Sequence, residues 1–124
     1  MHLLFSYGTL QQPEVQQANY RRLLNGSADV LPGYRLDPVT IADPEVVRLS
    51  GKAVHPIARF TGDPSDHVTG ACFELTDEEL AATDAYEDPA YRRVEVSLAS
   101  GLRAFAYVGQ AIAQGSDALT GASE

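Results

Sequence analysis

Two short stretches carry residues that can do chemistry. The first is Tyr7-Gly8-Thr9-Leu10, which follows the apolar run Leu3-Leu4-Phe5-Ser6. A strand that breaks into a glycine turn frees backbone N–H groups from sheet pairing, and such groups can meet a small anion or a carbonyl oxygen. Glycine suits a backbone that must approach a ligand closely. The second stretch is Asp84-Ala85-Tyr86-Glu87-Asp88-Pro89-Ala90-Tyr91-Arg92-Arg93-Val94, where a helix gives way to a strand and an acid at the junction can project into a cleft. Together they offer hydrogen-bond donors and a base. On residue type alone, Glu87 reads as a solvated acid at a helix end. Tyr7 and Tyr91 either pack with their phenols at the rim or bind a ligand. Arg92 and Arg93 alternate in facing, so at most one of them turns into a cleft, and Arg93 is the preferred one.

Other chemistries find no motif. No Gly-x-Gly-x-x-Gly or Walker-type loop is present, which leaves dinucleotide and nucleoside triphosphate chemistry without support. His2, His55 and His67 are far apart and no Cys-x-x-Cys spacing occurs, so no metal site is expected. Cys72 sits between Ala71 and Phe73, where a lone thiol reads as a small core residue. No Gly-x-Ser-x-Gly elbow supports a serine nucleophile.

The elements that must position these residues follow from pattern. Pro13 suits the first turn of a helix running to about Leu24, with Val15, Ala18 and Leu23 or Leu24 inward and Asn25-Gly26 ending it. Val30 to Leu36, interrupted by Pro32-Gly33, predicts one bent strand. Four prolines divide residues 37–66 into short apolar pieces, so loops and edge strands are expected there. From His67 to Leu75 the two-residue rhythm predicts a central strand. Thr76-Asp77-Glu78-Glu79 has the form of a capping box and starts a helix from about Asp77 to Tyr86, with Leu80 and Thr83 inward and Pro89 stopping it. Tyr91–Leu98 and Leu102–Val108 read as a hairpin joined at Ala99-Ser100-Gly101. These elements predict an α+β fold: a small mixed, strongly curved or barrel-like sheet flanked by two main helices. Residues 1–109 are expected to form a single domain and residues 110–124 a flexible tail.

Composition narrows the partners. The chain has 124 residues, enough for one domain with a real core. Nine Lys plus Arg face seventeen Asp plus Glu, a formal net charge of -8, which argues against nucleic acid as a partner. An anionic substrate would need local dipoles or a particular arginine to hold it. No apolar stretch approaches the roughly 20 residues that span a bilayer, so no membrane partner is expected. A single cysteine and no basic flank before the first apolar run fit a cytoplasmic protein. Asn25-Gly26-Ser27 matches a glycosylation sequon but reads as a turn after a helix.

The Tyr7-Gly8-Thr9-Leu10 turn, the Val68-Thr69-Gly70 strand leading to Leu75, and Asp84-x-x-Glu87 followed by Tyr91-x-Arg93 together resemble the gamma-glutamylcyclotransferase-like family, from Leu3 to about Tyr107. The resemblance implies a small mixed barrel flanked by helices and release of 5-oxoproline from a small γ-glutamyl amine or peptide, without a cofactor. It implies that Tyr7, Gly8, Thr9 and Leu10 form the substrate-binding loop and that Glu87 is the catalytic general base and acid. Two positions depart from the pattern: Thr83 where leucine is common, and Asp88 where glycine is frequent. A non-catalytic module that binds a small metabolite on the same fold is the alternative.

Such a substrate carries its own nucleophile, an α-amine that closes a five-membered ring on the γ-carbonyl. The protein need only move a proton from that amine to the departing one. Partial burial that raised Glu87 from about 4.3 to about 6 to 7 would suit it to the task.

Overall fold

A computed structural model describes residues 1–111. Its elements are β1 (His2–Ser6), a 3-10 turn (Thr9–Gln11), α1 (Pro13–Tyr20), β2 (Gly26–Pro32), β3 (Tyr34–Thr40), α2 (Pro44–Ser50), β4 (Val54–Phe60), β5 (His67–Leu75), α3 (Asp77–Tyr86), β6 (Arg92–Ser97) and β7 (Arg103–Val108). The strands form one mixed, curled sheet in the order β2-β5-β1-β7-β4-β3, with β6 on β7. The fold is thus a half-barrel with three helices, one more than the sequence pattern predicts.

Three local differences have physical causes. The helix after Pro13 stops at Tyr20, because Arg21 takes a left-handed conformation (φ 58) and its N–H closes on Gln17. Val15, Gln16 and Tyr20 face inward, whereas Ala18 and Leu23 are exposed. The expected bent strand is two strands, since Gly33 (φ 82) turns the chain so sharply that β2 pairs with β5 and β3 with β4. The stretch taken for loops and edge strands contains α2 and β4 as well. Asp43 accepts the Glu45 N–H at the start of α2, and Gly51 closes its end at φ 74. The expected C-terminal tail falls, past residue 111, outside the described residues.

The capping box forms as the sequence predicts: Thr76 accepts the Glu79 N–H while Glu79 accepts the Thr76 N–H. β5 lies between β2 and β1, pairing Phe5 with Cys72 and Ser27 with Cys72 in register. Gly70 is needed there, because a Cβ would lie 2.3 Å from the Ser6 carbonyl oxygen. Alternation splits the core between the two faces of the sheet. Leu4, Leu75 and Tyr107 pack with Val15, Tyr20, Leu80 and Tyr86 under the helices, and Phe5, Cys72, Ala106 and Val108 pack with Leu31 and Val96 inside the curl. The β6–β7 turn is latched to β2, where the Ala99 N–H donates to the Val30 carbonyl (2.8 Å) and the Ser100 hydroxyl donates to Asp29 (2.6 Å).

One irregularity creates the site. β6 pairs with β7 along its length, while β7 also meets β1 in parallel at Leu4↔Phe105 and then β4 in parallel at Ala58↔Val108. β1 ends at Ser6, so the sheet forks between β1 and β4.

Candidate active site

The fork is held by tyrosine hydroxyls in place of strand rungs. Tyr7 Oη donates to the Tyr107 carbonyl (2.6 Å) and accepts the Ala58 N–H (2.9 Å), bridging β7 and β4. Tyr91 Oη donates to the Pro56 carbonyl (2.6 Å). Pro56 is tolerated within β4 because no strand needs its missing N–H on that side. Burial pushes both phenols well above their ordinary value, so they stay neutral donors.

Between the prongs lies a small hollow, about 330 Å³ when the open space at its mouth is counted. Ser6, Tyr7, Gly8, Thr9, Leu10, His55, Glu87 and Tyr91 are among its lining residues. After β1 ends, the first turn bond runs from the Gln11 N–H to the Gly8 carbonyl (3.1 Å). The N–H groups of Gly8, Thr9 and Leu10 have no acceptor among the described residues, as expected where a helical turn begins.

Glu87 follows the last residue of α3, with an extended backbone (ψ 141) that turns it off the helix. Tyr86 fixes that end of the helix to the turn, its hydroxyl 2.7 Å from Thr9 Oγ1. Asp84, one turn earlier, accepts the Tyr107 hydroxyl and forms an ion pair with the Arg93 guanidinium (3.2 Å). The Glu87 carboxyl itself is half-buried and has no hydrogen-bond partner among the described residues. Burial, and then the neighbouring Asp88 and Asp84 carboxylates, push it up from 4.5 to about 8, further than the 6 to 7 expected from sequence.

Six of the residues singled out for binding or catalysis line this cavity: Tyr7, Gly8, Thr9, Leu10, Glu87 and Tyr91. Arg93 does not. It pairs with Asp84 and lies over the Phe105 ring, 4.9 Å from its centroid. No Lys or Arg lines the cavity, so among its lining groups the turn amides are left to meet an anion. His55, Ser6 and Tyr107 were not foreseen. They come together through the order of strands in the sheet, which no local pattern records.

The two departures from the family pattern have structural partners. Thr83 is fully buried; its hydroxyl donates to the Glu79 carbonyl (2.8 Å), so its oxygen accepts from the Tyr20 hydroxyl (2.6 Å). Asp88 accepts the Ala42 N–H (3.1 Å) and the Ala90 N–H (2.9 Å), tying the loop before α2 to the one after Glu87.

A curled mixed half-barrel whose fork holds an acid near an open amide turn defines a structural class. A family model described as gamma-glutamyl cyclotransferase, AIG2-like, matches residues 4–122, and the chain belongs to that family. An Arabidopsis thaliana protein known from its solution structure has TM-score 0.66 and 24% identity, over 87% of this chain and 61% of that one. This chain therefore spans about three-fifths of that protein's length. A structure described as gamma-glutamyl cyclotransferase has TM-score 0.65 and 15% identity, over 89% and 67% of the two chains. An AIG2-like protein from Mus musculus has TM-score 0.57 and 19% identity, over 87% and 76%. At these identities the likeness is one of fold. No curated protein sequence matches. No helix among the described residues is long and apolar enough to cross a membrane.

Proposed function

We propose that this protein is a γ-glutamyl cyclotransferase, releasing 5-oxoproline from a small γ-glutamyl amine or peptide, with Glu87 as general base and then general acid. The observation that carries the reading is the unpartnered, half-buried Glu87 carboxyl in the wall of a cavity that the open turn amides also line. Tyr7, Gly8, Thr9, Leu10 and Tyr91 form the binding surface in this reading, and Arg93 acts from outside by holding Asp84.

In the ligand-free protein Glu87 keeps its proton at neutral pH. A substrate ammonium beside it favours the carboxylate, which then accepts a proton from that ammonium. The freed α-nitrogen attacks the γ-carbonyl carbon and forms the new C–N bond. The carbonyl oxygen gains charge that the turn N–H groups meet, a contribution of about 3 to 4 kcal/mol per donor where such holes have been dissected. Glu87 returns its proton to the departing nitrogen as the old C–N bond breaks, and the second proton, shed by the attacking nitrogen as it becomes the lactam N–H, passes by the same carboxylate to the freed amine, which leaves as an ammonium. The balance is one amide cleaved, one lactam closed and no net proton consumed.

The test is incubation with a panel of γ-glutamyl amines and dipeptides while 5-oxoproline is measured. Product from wild type and none from Glu87→Gln is the expected result. Saturable thermal stabilisation without product across the panel would instead identify a binding module.

A further inference from the structure

His55 lines the cavity and is only 5% exposed, yet the proton path through Glu87 makes no use of it. Its Nε2 lies 3.0 Å from the Lys52 carbonyl oxygen and 3.1 Å from Ser50 Oγ. A carbonyl oxygen only accepts, so Nε2 carries a hydrogen. Burial is the largest influence on the ring and holds it below the ordinary imidazole value, against weaker opposing pulls from the hydrogen bond to the Lys52 carbonyl and then from Asp88. The ring is therefore neutral near pH 7, and Nδ1 is a bare lone pair. No donor among the described residues reaches it. A buried acceptor without a partner is costly, and on a residue that lines a ligand cavity it is accounted for when the ligand brings the missing hydrogen.

On the β4 side the wall has little else to offer, the lining hydroxyl without a hydrogen-bond partner among the described residues being Ser6 on β1. Pro56 has no N–H, and its carbonyl already accepts the Tyr91 hydroxyl. The Tyr7 hydroxyl is used on both sides. A γ-glutamyl amide brings two kinds of N–H: the α-ammonium, which Glu87 serves, and the hydrogen on the scissile nitrogen, which the reaction leaves without an acceptor.

We propose that His55 Nδ1 accepts the hydrogen on the scissile nitrogen, so that the site selects γ-glutamyl amides of primary amines over those of secondary amines. This rests on the γ-glutamyl reading of the cavity. An amide made from a primary amine keeps one hydrogen for His55, and one made from a secondary amine has none. The contact also fixes the plane of the amide against β4 before the leaving nitrogen is protonated.

The experiment compares γ-glutamyl methylamide with γ-glutamyl dimethylamide in two measurements. In the first, Glu87→Gln protein labelled with ¹⁵N at histidine is titrated with each amide. Nδ1 of His55 should start at the position of an unprotonated nitrogen and move upfield with the methylamide only. In the second, kcat/KM for 5-oxoproline release is measured for both amides. The wild-type preference for the methylamide should fall by roughly tenfold in His55→Phe, the value of one such hydrogen bond, and persist in Ser50→Ala, which disturbs only the Nε2 side. If turn amide signals move but Nδ1 does not, or if both amides move Nδ1 alike, the assignment to His55 is wrong and the γ-glutamyl reading stands. If neither amide binds and no 5-oxoproline forms across the wider panel, that reading fails and takes this one with it. The labelling measurement keeps His55 in place, so it decides the matter even where His55→Phe does not fold.

Discussion

Glu87 owes its behaviour to three neighbours of different kinds: the cavity wall that dries it and the Asp88 and Asp84 carboxylates that repel its charge. If it is the base, kcat/KM should rise with pH through a midpoint near 8, and Glu87→Gln should lose about 10² to 10⁴ in rate along with that limb. A pH profile flat across this range would remove Glu87 from the role. The same shift bears on stability. The folded carboxyl holds its proton up to about 8 and the unfolded one only to 4.5, so the stabilising linkage is complete below the unfolded value and is lost as pH rises through the folded one. Glu87→Gln should therefore match wild type in acid and exceed it at about pH 9, by on the order of 2 to 4 kcal/mol after allowing for partial solvation. Urea unfolding at the two pH values checks the sign; a variant less stable than wild type in alkali would contradict it.

Among the elements, β1 and β4 depend on the two hydroxyls in the fork. Tyr7→Phe strands both the Tyr107 carbonyl and the Ala58 N–H, whereas Tyr91→Phe strands only the Pro56 carbonyl. At about 1 to 3 kcal/mol for each buried group left unpaired, Tyr7→Phe should cost roughly twice as much in denaturant unfolding. Equal losses would mean that water replaces the hydroxyls. How far these elements were legible varied with the range of their interactions. β5 and α3 could be read from alternation and the capping box, which are local. α2 carried its own signals, Asp43-Pro44 before it and Gly51 after it, but seven residues are too short for periodicity to show. The turn and Glu87 were legible as residue types. The facing of Arg93 was not, since strand parity gives a side of the sheet but not the acid that claims the guanidinium.

Across the whole molecule, charge is the property a substrate meets first. With a formal net charge of -8 and no Lys or Arg lining the cavity, the protein repels ligands that carry an extra carboxylate. The KM for a γ-glutamyl peptide with an acidic leaving residue should fall as ionic strength rises to physiological values, where screening acts over about 8 Å, while that for a neutral amide should hold steady. Parallel salt titrations of the two substrates test this, and identical responses would show that the long-range field is irrelevant. The strand order explains why the cavity itself escaped local pattern: its walls are contributed by residues 5–10, 55–56, 87, 91 and 107, which only the closed sheet gathers.

Where β1 leaves off, the hollow has the breadth of a rung that was never laid. Its capacity is therefore set by a count of residues before it is set by any side chain. One more paired residue after Ser6 would zip the opening shut, and a first strand cut shorter would widen it, with every chemical group still present.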